Sequence, residues 1–213
     1  MSASAREEVL GRVRTALGTP RVAAPEPPRG YRGAGADDGL ARDAVLDELV
    51  DRLVDYRATV HRCSAGEVPA TVVRLAGQLG SLVVPPGLDP AWLSLLPADV
   101  TRLVDEPHLQ VSDLDGADGV VTGCAVAIAR TGTIVLDAGP GQGRRALTLV
   151  PDWHLCVVRT EQVVPAVPDG LARLEPRRPL TFISGPSATS DIELQRVEGV
   201  HGPRTLVVVL VEG

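Results

Sequence analysis

Thr205 to Val211 reads TLVVVLV, a nearly unbroken run of apolar and β-branched residues. A strand with apolar side chains at every position needs cover on both faces, and a parallel sheet with layers on each side supplies it. Parallel neighbours need crossover connections, usually helices. The rest of the chain must therefore alternate strands with helices.

It does. Glu67 to Leu79 carries Val68, Val72, Leu75, Ala76 and Leu79 at helical spacing, and Gly80 closes it. Ser81 to Val84 is a buried strand stopped by Pro85-Pro86, and Asp89-Pro90 opens a brief helix holding Trp92, Leu95 and Leu96. Asp37 or Asp38 can cap a helix through Tyr56 with an apolar stripe at Leu46, Leu49, Val50, Leu53 and Val54. Ala58 to Cys63 and Val100 to Val104 are short strands. From Gly119 to Ala129 the chain is small and apolar, and Thr131-Gly132-Thr133 turns into the strand Ile134 to Leu136. Ala146 to Val150 and His154 to Val158 read as strands, and Glu161 to Leu174 as a partly helical crossover. The expected fold is α/β, a mainly parallel sheet flanked by helices.

Ahead of this lies an amphipathic helix, Ala3 to Leu17, with Val9, Leu10, Val13 and Leu17 on one face. Gly18 to Gly39 is rich in proline and glycine and reads as a linker. The organisation is thus an N-terminal helical arm with its linker, 1–36, and one domain, 37–213. The arm's apolar stripe needs cover, from its own domain or from another subunit.

Leu180 to Ile183 is a short apolar run suited to a buried strand, and Ser184-Gly185-Pro186-Ser187 breaks it. Ser190 and Glu193 have capping-box spacing, so a helix should run from there to Gly199. Strand, Gly/Ser loop and helix start together point free backbone N–H groups into one space that favours an anion. Ser184, Gly185, Ser187 and Thr189 are the candidate contacts. Arg144 and Arg145 follow the glycine-rich loop Gly139 to Gly143, and a guanidinium grips a carboxylate or phosphate through paired hydrogen bonds. In an open α/β sheet such loops meet beyond the strands' carboxyl ends.

The 21 basic residues are all arginine; the chain has no lysine. Schiff-base and P-loop lysine chemistry are excluded. A net charge of −6 argues against a nucleic-acid surface. Cys63, Cys124 and Cys156 are scattered and odd in number, which fits reduced thiols and not a four-cysteine iron–sulfur site. His154 and Cys156, two apart on a strand, share a face but do not make a metal site. No apolar run approaches a membrane span, and a soluble, cytoplasmic protein is expected.

Three blocks carry a family resemblance. They are Val121-Thr122-Gly123-Cys124 through Thr131-Gly132-Thr133-Ile134; Gly143-Arg144-Arg145 through Pro151-Asp152-Trp153-His154; and Ser184-Gly185-Pro186-Ser187-x-Thr189-x-Asp191-Ile192-Glu193 with Gly199 to Arg204. Together they resemble the LUD domain family, in particular LutC-type lactate utilization proteins. The family often has Arg after Gly-Pro-Ser and an acidic residue before Thr-Gly-Thr; here those places hold Ala188 and Arg130.

The resemblance implies a fold similar to the NagB/RpiA/CoA-transferase group. It also implies a role in a bacterial cytoplasmic system oxidising L-lactate to pyruvate beside iron–sulfur partner proteins. The clusters would sit on those partners and no cofactor on this chain. Thr131 and Thr133 join the candidate ligand contacts on the same ground. Asp191, Glu193 and His201 are acid/base candidates near the loop, although capping already accounts for Glu193 and a turn for His201. Two readings stay open: a subunit or accessory binder of an acidic metabolite, and a stand-alone enzyme of the isomerase/CoA-transferase group acting on a phosphosugar, a folate or a CoA ester.

Overall fold

The protein's computed structural model describes residues 4–18, 25–37, 39–186, 188–189, 197–198 and 202–213. The chain divides into two compact units, Met1–Tyr31 and Arg32–Gly213. In the first, helix α1 (Ala5–Leu17) starts at Ser4, whose hydroxyl accepts from the Glu7 N–H while the Glu7 carboxylate accepts from the Ser4 N–H. This reciprocal cap fixes the helix start. None of its side chains is buried, and Val9, Val13 and Leu17 are exposed.

The second unit holds the sheets. In chain order its elements are α2 (Arg42–Asp55), β1 (Thr59–Ser64), α3 (Val68–Ala76), β2 (Ser81–Val84), β3 (Thr101–Val104), α4 (Val111–Asp115), β4 (Gly119–Thr122), β5 (Val126–Ile128), β6 (Thr133–Leu136), β7 (Trp153–Arg159), β8 (Val163–Val164), α5 (Val167–Ala172), β9 (Thr181–Ile183), β10 (Ala188–Thr189), β11 (Val197–Glu198) and β12 (Thr205–Glu212). A six-stranded sheet, wholly parallel, has the order β1-β12-β7-β4-β2-β3. A four-stranded sheet, β8-β5-β6-β9, is antiparallel except where β5 meets β8. The expected α/β fold with a mainly parallel sheet is present.

Strand β12 lies inside the large sheet, between β1 and β7. Its alternate residues enter two cores, as period-two geometry requires. Val207, Val209 and Val211 join Leu155, Val157 and the α3 residues Val68 and Val72. Leu206, Val208 and Leu210 join Cys156, Val158, the α2 residues Leu49 and Leu53, and Ile134 and Leu136 of the small sheet. The layers are therefore α3, the parallel sheet, and then α2 side by side with the small sheet.

Four local expectations need correction. Helix α2 begins at Arg42 after Ala41, with no side-chain cap. Asp37 instead pairs with Arg32 and, at 3.2 Å, with Arg130; Asp38 is outside the described residues. Arg145–Thr148 is one 3₁₀ turn rather than a strand, since Leu147 and Thr148 are buried together while Leu149 faces out. That spacing is not the alternation of a strand. Strand β9 is no buried parallel strand: it pairs antiparallel with β6 at the edge of the small sheet, and Phe182 is 50% exposed. The helix expected over 190–199 falls mostly outside the described residues, but Val197–Glu198 pairs with Ala188–Thr189 as a two-residue antiparallel ladder.

Candidate functional site

The pairing of β6 with β9 assembles the first part of the site. Ile134 faces Ile183 across the ladder, so Thr133 and Ser184 come together one step beyond it. Their hydroxyls lie 2.8 Å apart, and the Thr133 hydroxyl is also 2.8 Å from that of Thr131. Three of the candidate contacts, Thr131, Thr133 and Ser184, thus form one hydroxyl chain.

Gly185 sets the loop's course. Its φ of +78° is left-handed, and a Cβ there would collide with the carbonyl oxygen of Tyr56 at the end of α2. Only glycine lets the loop lie flat on that helix end. Gly185→Ala is expected to destabilise the protein by about 2 kcal/mol through the left-handed penalty plus the collision. Urea denaturation checks this; an unchanged midpoint would mean the loop shifts without cost.

The two arginines part company. Arg144 has extended backbone, and its guanidinium donates to both Asp105 carboxylate oxygens (Nε to Oδ2 at 2.9 Å, Nη2 to Oδ1 at 3.1 Å) and to the Leu109 carbonyl at 2.7 Å. Arg145, the first residue of the 3₁₀ turn, goes the other way and lines a cavity of about 210 Å³ with Ser184 and Gly185. Thr148, Thr181 and Phe182 complete much of the wall, and Gly202 and Pro203 the rim. Among the described residues this lining holds one cationic side chain and no carboxylate.

His154 also lines the cavity and is fully buried. Its Nε2 meets the Thr122 hydroxyl at 2.7 Å, and its Nδ1 has no partner among the described residues. Burial lowers its pKa to about 4, so at neutral pH the imidazole is uncharged. An orphaned buried nitrogen costs free energy unless a ligand or water meets it. A guanidinium, several hydroxyls and an unpaired imidazole nitrogen around a small space suit an oxyanion with a further polar group.

Ser187, Asp191, Glu193 and His201 lie outside the described residues, as does the side chain of Thr189. The cavity's place also differs from the expected one. It sits at the amino ends of β7 and β12, beside the carboxyl end of β9, whereas ligand crevices in open parallel sheets lie beyond the carboxyl ends. The reason is that β9 belongs to the small sheet. His154 was not among the sequence candidates. Its shared strand face with Cys156 was visible, but the partner of Nε2 lies on another strand.

Comparison with known proteins follows the same sheets. The LUD domain family matches residues 46–211, which include every strand except the last residue of β12. Lactate utilization protein C of Deinococcus radiodurans is 50% identical over 176 residues, covering 81% of this chain and 82% of its own. The Escherichia coli protein YkgG, described as uncharacterized, is 27% identical over 97% of this chain and 98% of its own. The crystal structure of a DUF162 family protein from Deinococcus radiodurans superposes with a TM-score of 0.69 at 43% identity, covering 81% of this chain and 99% of that one. The chain belongs to the LUD domain family and is of its LutC type.

Proposed function

We propose that this protein is a component of a bacterial cytoplasmic system that oxidises L-lactate to pyruvate. It acts beside iron–sulfur partner proteins and binds a small anionic metabolite between Ser184, Arg145 and His154. The role is carried by similarity to the Deinococcus lactate utilization protein C across most of both chains. No helix among the described residues is long and apolar enough to cross a membrane.

Cysteine placement supports putting the clusters on partners. Cys63 lies in the core on the α3 face of the large sheet, while Cys124 and Cys156 lie in the core on the other face. A sheet thus separates the thiols, which a cluster held by one chain would need together. Purified protein is expected to be colourless and free of stoichiometric iron. We also read the large parallel sheet with its smaller companion as the NagB/RpiA/CoA-transferase arrangement. The cavity's small volume favours a compact anion over a CoA ester or a folate.

Deletion of the gene should impair growth on L-lactate but not on pyruvate. Normal lactate growth in a strain without another lactate dehydrogenase would overturn the role. Calorimetric titration of the full chain with lactate, pyruvate and phosphate tests the site. Arg145→Gln is expected to cost roughly 2 kcal/mol of binding, because its bonds are charge-assisted, and Ser184→Ala about 1 kcal/mol. Anion binding indifferent to both changes would remove the site and leave the role standing.

A further inference from the structure

The large sheet has a point where its connections diverge. After β2 the chain moves outward to the edge strand β3; after β4, the neighbour of β2 on the other side, it leaves in the opposite direction and returns as β7. Between such strands an open parallel sheet leaves a crevice beyond their carboxyl ends, because no connection covers it. A cavity of about 280 Å³ occupies that place, bounded by Gly87 and Leu88 after β2, Gly123 and Cys124 after β4, and Arg159 at the end of β7. None of its lining residues lines the cavity at His154.

The glycine-rich loop forms the roof. The Gly141 N–H donates to the Pro86 carbonyl at 2.9 Å, and the Gly123 N–H to the Gly141 carbonyl at 2.8 Å. The loop is thereby tied to both diverging connections. Both Gly87 and Gly141 have left-handed backbone, and a Cβ on Gly87 would sit 2.9 Å from that of Pro140. On the far wall Gln162 donates to the Cys124 carbonyl at 2.5 Å and accepts from the Arg159 N–H at 2.8 Å. The crevice is therefore framed by backbone bonds in its roof and by the Gln162 side chain on its far wall.

At its mouth the Arg159 guanidinium lies 5.5 Å from the centroid of the Trp92 ring. It makes no ion pair with any described residue and is exposed. The carboxylate in the lining, Asp89, already accepts from the Ala91 N–H at 3.0 Å. Cys124 adds no charge, since its contact with Cys156 and its burial keep the thiol protonated. A preformed cavity with one free guanidinium, an indole face and apolar walls from Leu88 and Val157 matches a molecule with a carboxylate at one end and an apolar body.

We propose that this crevice at the carboxyl ends of β2 and β4 is a second binding site, for a small organic acid whose carboxylate takes Arg159 and whose body lies against Trp92. It stands independently of the role and site proposed above. Of the two tryptophans, Trp92 and Trp153, only Trp92 lines the crevice, so the full chain carries a local reporter. The experiment titrates the full chain with acetate, L-lactate, butyrate, benzoate and inorganic phosphate, following tryptophan emission and, in parallel, the heat of binding by calorimetry.

The carboxylates should give a saturable emission change and a saturable heat of binding. Arg159→Gln, an exposed position that leaves folding intact, should weaken both effects about tenfold or more. Trp92→Phe should abolish the emission change yet keep a measurable heat of binding. Absence of saturation with every carboxylate, or equal affinity in Arg159→Gln, overturns the proposal. So does a response to phosphate alone, which would make the site a simple oxyanion hole. Effects lost in Arg145→Gln but kept in Arg159→Gln would place the anion in the other cavity and overturn it as well.

Discussion

Arg144→Ala should lower folding stability by about 3 kcal/mol, because it strands a buried carboxylate. Asp105 is 2% exposed. Burial alone would push its carboxyl up, but hydrogen bonds from Arg144 and the Leu109 N–H, with the Arg144 charge, hold it below the ordinary carboxylate range. Without Arg144 the carboxylate keeps the Leu109 N–H at 2.8 Å and the exposed His108 ring at 3.4 Å. Neither replaces a forked guanidinium. Arg144→Lys should therefore recover only part of the loss. The double variant Asp105→Ala/Arg144→Ala should be more stable than Arg144→Ala, since the unpaired charge is then gone. Urea unfolding of the three variants decides this, and a loss under roughly 0.5 kcal/mol for Arg144→Ala would show that water reaches Asp105 freely. The change should also loosen Arg145, whose 3₁₀ turn starts where Arg144 is tied down.

How much of this the sequence discloses depends on how local each signal is. TLVVVLV demands burial on both faces whatever its neighbours are, and β12 has it. LTFI carries no such demand. Its three-residue strand takes its meaning from β6, nearly fifty residues away, and a period cannot name a partner. The small sheet was invisible for the same reason, with β8 only two residues long. ALTLV is as apolar as a strand, yet Leu147 is claimed by the cluster around Leu114, and a single turn reaches it better.

The site shows the same limit. Ser184 was legible from its loop, but its link to Thr131 and Thr133 was not, because they meet only through the pairing of β6 with β9. The neighbouring arginines are chemically identical in sequence and diverge through one backbone step. The rule that ligands gather at carboxyl ends was attached to β9, which is not in the parallel sheet; applied to β2 and β4 it leads to the crevice at Trp92.

Acid should weaken the fold by about 3 kcal/mol between pH ~6.5 and ~4, and His154 should account for most of it. Its folded-state pKa is lowered to about 4 by burial, whereas in the unfolded chain it returns to an ordinary imidazole value near 6.5. The unfolded state therefore takes up the proton first as pH falls. The stabilisation is complete above pH ~6.5, declines through the interval, and is gone below about 4. The cause is structural: Nε2 is occupied by Thr122, and a second N–H on Nδ1 would have no described acceptor. His61 is also lowered, by burial and by Arg74, so it needs its own control. Unfolding free energies measured across the interval should flatten in His154→Gln and keep most of their slope in His61→Gln. The His154 ring resonances should stay those of a neutral imidazole at pH 5. An oxyanion bound beside Arg145 that accepts from Nδ1 would favour the imidazolium, so binding below neutrality should draw a proton from solution. Ring resonances that titrate near 6.5 in the free protein would instead mean that water already solvates Nδ1, and the acid sensitivity of the fold would vanish.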